Sequence, residues 1–370
     1  MRHPGTGAAR RALEAGKLLA ATILVLGTAS LLFFLTFRER HYDVQGRAMP
    51  LHDHLLDIAV LDGRLWAVGH GGRILRSDDR GGRWSFPESG VETPLSGVAF
   101  RDESTGLAVG YDGVILRTTD GGRKWTRVPS GVDVYLTTVR FVSGERAFAA
   151  GEWGTILSSD DAGSSWHATT DGAHDFIIND LAFAADGTGW AVGELGQALR
   201  TTDGGKTWTH RRVVEDETTL FTVSATSEAE VWVAGADSLL LRSRDGGSSW
   251  ERVAAPCPPT QLLRLRFAGA RGYAVGRRCV AVTGDGGDTW RRSRLAGSVR
   301  YSWLYGLHVT ADEVWVAGYG EALFRAGADD GSWEELTVAR RGDGNGSFPG
   351  TASRVAEESA FRRGAREERG

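Results

Sequence analysis

Short runs of apolar residues, separated by glycine, aspartate and serine, repeat along most of the chain. The second copy shows the pattern clearly, with four runs that read LSGVAF, TGLAVG, GVILRTT and WTRVP. Runs of this length that are rich in Val, Leu, Ile and aromatic residues, and bounded by turn residues, predict β-strands. We therefore expect each copy to form a small antiparallel sheet of four strands.

A tryptophan closes each copy and sets the period of the repeat. The seven tryptophans are separated by steps of 41, 41, 42, 42, 40 and 43 residues. They are Trp84, Trp125, Trp166, Trp208, Trp250, Trp290 and Trp333. Four strands per unit of about 40–45 residues are typical of a propeller blade, and stacking the blades in a ring buries both faces of each sheet. The sequence predicts an all-β, seven-bladed β-propeller over residues 51–339, followed by a disordered tail over 340–370.

The turn before the tryptophan carries the motif Ser/Thr-x-Asp-x-Gly-x-x-Trp, which is intact in six of the seven copies. The aspartate can accept hydrogen bonds from turn amides, the glycine adopts positive φ, and the tryptophan packs back between strands. This motif is the Asp-box, or BNR repeat. We interpret it as a structural turn rather than as a site for calcium or substrate.

Residues 18–37 form a separate segment of twenty residues without a charge. At about 1.5 Å per residue, a helix of this length spans the hydrocarbon core of a bilayer. Positive charges precede it at Arg2, Arg10, Arg11 and Lys17. The positive-inside rule then predicts a single-pass anchor in the inner membrane, with residues 1–17 in the cytoplasm. The linker 38–50 and the propeller would lie in the periplasm or an equivalent exported compartment. A cleaved signal peptide is the alternative.

Charge and cysteine content narrow the function classes. The net charge of −4 and the pI near 6.2 give no electrostatic basis for nucleic acid as the main partner. The chain has two cysteines, Cys257 between the fifth and sixth blades and Cys279 at the start of a third strand. The propeller topology places both on one face, so an oxidising compartment favours a disulfide between them. Two free buried thiols are the alternative.

The combination AVG-x-x-G-x-I-L-R-[ST]-x-D-G-G-x-x-W, repeated over seven blades, resembles the photosystem II stability/assembly factor family. The resemblance covers residues 51–339. It implies a non-enzymatic factor of photosynthesis that docks a membrane-protein subunit from the lumenal or periplasmic side. Photosynthetic members are usually soluble lumenal proteins or lipoproteins, so the predicted membrane helix is a departure from the family pattern.

The resemblance also implies a patch of arginines contributed by several blades. Five arginines occur eight residues before the closing tryptophan, at Arg76, Arg117, Arg200, Arg242 and Arg325. At one position per blade they would form an arc, and the guanidinium fork suits a carboxylate of a protein partner. The alternative is that each arginine pairs with an acidic residue of its own or the next blade.

A second candidate partner-binding face carries aromatic residues and histidines just before the innermost strands and in one set of turns. Its members are His54, Tyr135, Trp153, Phe176, Trp303 and Tyr305. Trp153 and Trp303 are off the repeat pattern, so packing does not call for them. The alternative is rim packing around a central channel. His52 and His54, on either side of Asp53, could share one face of a strand, but no third ligand lies nearby in the sequence. We therefore predict neither a metal nor any other cofactor.

Asp-boxes also occur in glycoside hydrolases, so an enzyme must be considered. Glu152 and Glu194 occupy equivalent turns of adjacent blades and could form a carboxylate pair. Sialidases resemble a six-bladed ring with an Arg-Ile-Pro motif before the first box, and xyloglucan hydrolases use two propellers, and this chain has neither feature. We predict a non-catalytic, membrane-anchored protein-docking scaffold that assists the assembly or stability of a membrane protein complex. The alternative is a glycan-binding module or a sialidase-like glycoside hydrolase.

Overall fold

The computed structural model describes residues 54–170, 172, 174–295, 303–327, 332–336 and 338. The segments predicted as cytoplasmic, membrane-spanning, linker and tail all lie outside these described residues. Within the described part of the chain, no helix is long and apolar enough to cross a membrane.

Twenty-seven strands follow one another along the described chain. The innermost strands are β1 (Leu55–Leu61), β4 (Leu95–Phe100), β8 (Leu136–Ser143), β12 (Ile178–Phe183), β16 (Leu220–Ala225), β20 (Leu262–Ala268) and β24 (Leu304–Val309). The second strands are β2 (Arg64–Gly69), β5 (Gly106–Gly110), β9 (Arg146–Gly151), β13 (Gly189–Gly193), β17 (Val231–Gly235), β21 (Arg271–Gly276) and β25 (Glu313–Gly318).

The outer half of each blade is shorter. The third strands are β3 (Ile74–Ser77), β6 (Ile115–Thr118), β10 (Ile156–Ser159), β14 (Gln197–Thr201), β18 (Leu240–Ser243), β22 (Cys279–Thr283) and β26 (Leu323–Gly327). The fourth strands are β7 (Thr126–Val128), β11 (His167–Ala168), β15 (Thr209–Arg212), β19 (Glu251–Arg252), β23 (Arg291–Ser293) and β27 (Trp333–Glu335). In the first blade a single bridge from Arg76 to Ser85 takes the place of a fourth strand.

These strands form seven antiparallel sheets in which neighbours in sequence are neighbours in space, so the predicted seven-bladed propeller is confirmed. The ring closes by side-by-side packing of the last blade against the first. Leu55 and Ile58 of β1 share one hydrophobic cluster with Trp315 and Leu323 of the seventh blade. Gly306 of β24 lies so close to β1 that a Cβ there would be 3.0 Å from the Ile58 nitrogen.

The two faces of the ring carry different turns. Leu55 pairs with Gly69, so the turn from second to third strand lies beside the start of the innermost strand. We call this side the turn face. The Asp-box turn lies beside the other end, where the Arg80 amide donates to the Gly63 carbonyl over 3.0 Å. We call this side the box face.

The Asp-box turns have the geometry of structural turns. In the fourth blade, the Asp203 Oδ1 accepts hydrogen bonds from the amides of Lys206 and Thr207, both over 3.0 Å. The Thr201 hydroxyl in turn accepts the Gly205 amide over 2.9 Å. In the third blade, the side chain of Ser165 and nearby amides donate to Asp161 and lower its pKa to about 2. Each aspartate is thus used by its own turn, in agreement with the structural interpretation.

Candidate functional site

Three large hydrophobic side chains are exposed among the residues that the structure describes, and all three lie on the turn face. Tyr111 is 40% exposed, Trp153 is 56% exposed and Leu195 is 38% exposed. Each lies in the turn between the second and third strands, in the second, third and fourth blades respectively. Because the blades are consecutive, we call these three residues the apolar arc. Exposed apolar side chains grouped on one face are typical of a binding surface.

Two residues of the apolar arc adopt a backbone conformation that large side chains rarely adopt. Trp153 has φ of 56° and Leu195 has φ of 57°. The same turn position is Gly71 in the first blade and Gly320 in the seventh, with φ of 65° and 68°. A left-handed conformation costs a non-glycine residue about 1–2 kcal/mol. Bulky residues kept at a position suited to glycine, and exposed rather than packed, point to a role beyond folding.

The turns that carry the apolar arc also carry acidic residues. Asp112 follows Tyr111, and Glu152 and Glu194 directly precede the other two members of the arc. The Glu152 carboxylate accepts a hydrogen bond from the backbone amide of Tyr135 over 3.0 Å. The resulting surface therefore presents one large apolar side chain and one carboxylate in each of three consecutive blades.

The other residues of the predicted aromatic face are more buried than Trp153. Tyr135 stacks on Tyr111 with ring centroids 4.0 Å apart, and burial raises the pKa of Tyr135. Tyr135 therefore packs beneath Tyr111, the member of the apolar arc in the second blade. His54 is buried and stacks on Tyr319 at 4.2 Å, and Phe176 is buried as well. For His54 and Phe176, the packing fits the alternative of a structural rim.

Trp303 and Tyr305 form a separate pair on the far side of the ring. Their rings are parallel with centroids 6.2 Å apart, and the Arg277 guanidinium lies 5.2 Å from the Trp303 ring centroid. Burial raises the pKa of Tyr305 to about 12. The structure therefore does not bring this pair together with the apolar arc, and the partner-binding role of the predicted face stays a prediction.

The five arginines of the second predicted site do occupy one register position, in the third strand of each blade. Arg76 Nε donates to the Gly121 carbonyl over 2.8 Å, and Arg117 Nε donates to the Ala162 carbonyl over 2.9 Å. Both acceptors lie in the Asp-box turn of the next blade. Arg242 reaches Asp288 of the next blade over 2.6 Å. Three of the arginines thus link neighbouring blades.

The remaining two arginines of the set lie over tryptophans of their own blades. The Arg200 guanidinium is 5.8 Å from the Trp190 ring centroid, and that of Arg325 is 5.4 Å from the Trp315 centroid. Arg325 also pairs with Glu334 of its own blade. These contacts fit the alternative of pairing within and between blades, and binding of a partner by the arginines stays a prediction.

A group of charged residues in the central channel was missed by the sequence reasoning. Asp180 of β12 is fully buried and accepts hydrogen bonds from Arg266, over 2.8 and 3.2 Å, and from Arg140 over 3.0 Å. The Thr222 hydroxyl adds a fourth hydrogen bond over 2.8 Å. Burial alone would raise the pKa of Asp180, but Arg266 and Arg140 outweigh burial and lower it.

The repeat itself held a signal for this channel group. The innermost strands carry a small residue at one register position in four of the seven blades. These residues are Ala59, Ala99, Ala182 and Ser224. The same position carries Arg140, Arg266 and His308 in the other three blades. Charged or titratable residues at a position that otherwise accepts only small residues would have identified the channel.

Because the pKa of His308 is lowered in the folded chain, we expect the stability of the protein to depend on pH. Burial, with the positive charges of Arg266 and Arg140, lowers the pKa of His308 to about 4. The histidine pKa in the unfolded chain is about 6.5. Between this value and the folded pKa, the unfolded chain therefore binds a proton that the folded chain does not bind. We expect the free energy of unfolding to fall by about 2 kcal/mol between pH 7 and pH 5. Denaturant unfolding at both pH values measures it, and His308→Gln should remove most of the fall. His174→Gln, on the turn face, is the control, and an equal effect of both variants would contradict the assignment.

The two cysteines are joined in the structure. Cys257 and Cys279 form a disulfide with the Cα atoms 6.0 Å apart. The bond ties the connection before the sixth blade to the third strand of that blade. It lies on the turn face, outside the apolar arc.

Comparisons with known proteins agree with this architecture. The family model described as photosynthesis system II assembly factor YCF48 matches residues 83–172 and again residues 169–261. A solved structure described as YCF48 bound to D1 peptide is 20% identical, with a TM-score of 0.61, over 75% of this chain and 94% of that chain. YCF48 from Cyanidioschyzon merolae is 19% identical, with a TM-score of 0.61, over 75% of this chain and 96% of that chain.

Enzymes of the propeller class are also similar in fold. The GH74 xyloglucanase from Xanthomonas campestris is 12% identical, with a TM-score of 0.64, over 79% of this chain and 55% of that chain. At these identities the structural likenesses show the fold alone. No curated protein sequence matches the chain.

Proposed function

We propose that this chain, which is a photosystem II assembly factor-like BNR propeller, is a non-catalytic scaffold that docks an exported segment of an integral-membrane protein. The observation that carries the proposal is the apolar arc, because it is exposed and two of its three residues hold a strained backbone. The scaffold would assist assembly or stability of the complex to which that membrane protein belongs.

The chemistry of the arc indicates the kind of segment that it would bind. Tyr111, Trp153 and Leu195 offer apolar contact, and the carboxylates beside them offer negative charge. An extended segment with alternating apolar and basic side chains complements both features. Aromatic side chains such as Trp and Tyr supply much of the binding energy at protein interfaces, and a cation can also lie over an aromatic face. A similar protein, YCF48, has been solved with a bound peptide, which supports a peptide segment as the partner.

The predicted membrane anchor fits the same function. A helix over residues 18–37 would hold the propeller at the exported face of the inner membrane. Tethering raises the effective concentration of the propeller near integral-membrane clients, which strengthens binding without new contacts. The Cys257–Cys279 disulfide agrees with an oxidising compartment. The photosystem II client remains part of this proposal, since the D1 peptide is bound by a similar protein.

The arginine set gives a second candidate surface for the same function. Three of its members are linked to neighbouring blades, and Arg325, which pairs within its own blade, keeps a quarter of its side chain exposed. A carboxylate-bearing partner would bind there only by competing with the existing contacts. We therefore place the docking surface on the turn face and treat the arginine set as the comparison in the test.

The test is capture of a membrane partner by cell crosslinking of the full-length protein. Trp153→Asn combined with Leu195→Asn should abolish capture, because both large apolar side chains are removed. Asparagine tolerates positive φ, so the same variant should keep its free energy of unfolding or gain up to about 1 kcal/mol. Denaturant unfolding measures this second effect.

The matched comparison changes Arg76, Arg117, Arg200 and Arg242 to glutamate. Capture that survives this change but is lost in the Trp153/Leu195 variant supports docking on the turn face. Capture that survives in the Trp153/Leu195 variant and is lost on charge reversal would move the site to the arginine set. If wild type captures no membrane protein at all, the docking function is wrong.

A further inference from the structure

The central channel holds more positive than negative charge among its described residues. The charged side chains of the innermost strands are Asp57, Arg140, Asp180, Arg264 and Arg266. Three guanidinium groups therefore face two carboxylates. Two further titratable groups lie on these strands, Tyr305 and His308. Both are neutral near pH 7, because the pKa of Tyr305 is raised to about 12 and that of His308 is lowered to about 4.

The two carboxylates do not accept hydrogen bonds from all the N–H donors of the three guanidinium groups. Both oxygens of Asp180 are occupied, and Asp57 lies 3.8 Å from Arg140 while accepting the Val98 amide over 3.1 Å. A guanidinium has five N–H donors. Within the described residues, Arg140 donates to the Val139 carbonyl over 2.9 Å and to Asp180, which leaves further donors on its fork. The buried Nε of Arg264 has no hydrogen-bond partner in the same part of the chain.

A cavity of about 270 Å³ lies beside these groups, in the half of the channel nearer the box face. Its polar wall includes Asp57, Arg140, Arg266 and His308, and its apolar wall includes Phe141 and Phe267. About a fifth of the Arg140 and Arg266 side chains is exposed, so both are accessible from the cavity. A planar guanidinium can bind a carboxylate through paired hydrogen bonds, and the apolar wall beside it suits an organic acid.

We propose that this cavity binds a carboxylate carried on an apolar group, with the carboxylate at Arg140 and Arg266 and the apolar group against Phe141 and Phe267. This site goes beyond the docking function and is separate from the apolar arc, which lies on the opposite face. The carboxylate can come from a free small acid or from the C-terminus of an extended polypeptide. Both sources share the recognised chemistry.

The experiment compares each carboxylate with its uncharged amide, using full-length protein in detergent and isothermal titration calorimetry. The small probes are 3-phenylpropionate and 3-phenylpropionamide, and the chain-end probes are acetyl-Gly-Gly-Phe with a free or an amidated C-terminus. We expect the carboxylate of at least one pair to bind about tenfold or more tightly than its amide. Binding of the small acid alone identifies a free acid as the source, and binding of the peptide acid identifies a chain end.

Two variants assign the binding to the cavity. Arg140→Gln should weaken carboxylate binding about tenfold or more and leave amide binding unchanged. Arg101→Gln is the control and should leave both unchanged, because Arg101 is partly exposed and pairs with Asp102 outside the innermost strands. If Arg140→Gln does not fold, Ala99→Leu tests the site by filling the cavity, and it should block the carboxylate. Equal affinities for carboxylate and amide, or no binding of either carboxylate at about 10 mM, would overturn the proposal.

Discussion

Replacing Asp180 with asparagine should lower the free energy of unfolding by about 3 kcal/mol. Asp180 is fully buried and is the acceptor that joins Arg140 and Arg266 across the channel. Removing its charge leaves two guanidinium groups facing each other without a carboxylate between them. Breaking a buried ion pair from one side is among the most costly single changes.

The control for this variant is Asp160→Asn in the third blade. Asp160 pairs with Arg146 over 3.2 Å but is two-thirds exposed, so its loss should cost less than about 1 kcal/mol. Denaturant unfolding of both variants at pH 7 gives the comparison. Equal losses would show that the channel network adds no more stability than a surface pair.

Acid should act on the same network in a defined direction. The folded pKa of Asp180 is lowered, so its contribution to stability is present above the unfolded value of about 3.9 and is lost as pH falls through the folded pKa. The Asp180→Asn variant cannot show that part of the acid dependence. A variant as acid-sensitive as wild type below pH 4 would contradict the assigned role.

Three glycines of the sixth Asp-box turn should respond very differently to alanine. Gly287 has φ of 90°, and a Cβ there would lie 2.2 Å from Trp232 of the previous blade. Positive φ and overpacking add, so Gly287→Ala should cost about 3 kcal/mol. Gly286 has φ of 72° but no atom within 4 Å of its Cβ position, so Gly286→Ala should cost about 1 kcal/mol.

Gly284 completes the series as the matched control. It has neither positive φ nor any atom within 4 Å of a Cβ, so Gly284→Ala should change stability by less than about 0.5 kcal/mol. Thermal and denaturant unfolding of the three variants separate the backbone effect from the packing effect. Equal costs at Gly286 and Gly287 would mean that close approach of Trp232 does not hold the blades together.

The fold was predictable because the same pattern of four short apolar runs and a closing tryptophan occurs seven times in the sequence. The Asp-box spacing gave the blade boundaries, and the second-strand tryptophans Trp66, Trp190, Trp232 and Trp315 are all fully buried. The same repetition explains why the arginines could be placed in one register but not assigned a role. Whether Arg76 points to solvent or to the Gly121 carbonyl depends on the packing of the next blade, which sequence spacing does not contain.

The candidate sites were only partly predictable for a related reason. Trp153 could be singled out because it breaks the repeat, and it is indeed the most exposed large hydrophobic residue described. Leu195 could not, since leucine is ordinary in sequence, and only its exposure and its φ of 57° in the structure make it unusual. The channel group needs residues from β8, β12 and β20 to meet across the ring. That meeting follows from ring closure and not from local sequence.

The most direct test of the docking function places a photo-activated crosslinking residue at position 153 or at position 160 of the full-length protein. Position 153 lies on the turn face and position 160 lies in an Asp-box turn on the box face. We expect crosslinks from position 153 to one exported, apolar and basic segment of an integral-membrane protein, and none to that protein from position 160. Crosslinks to that protein from position 160 alone would contradict docking on the turn face.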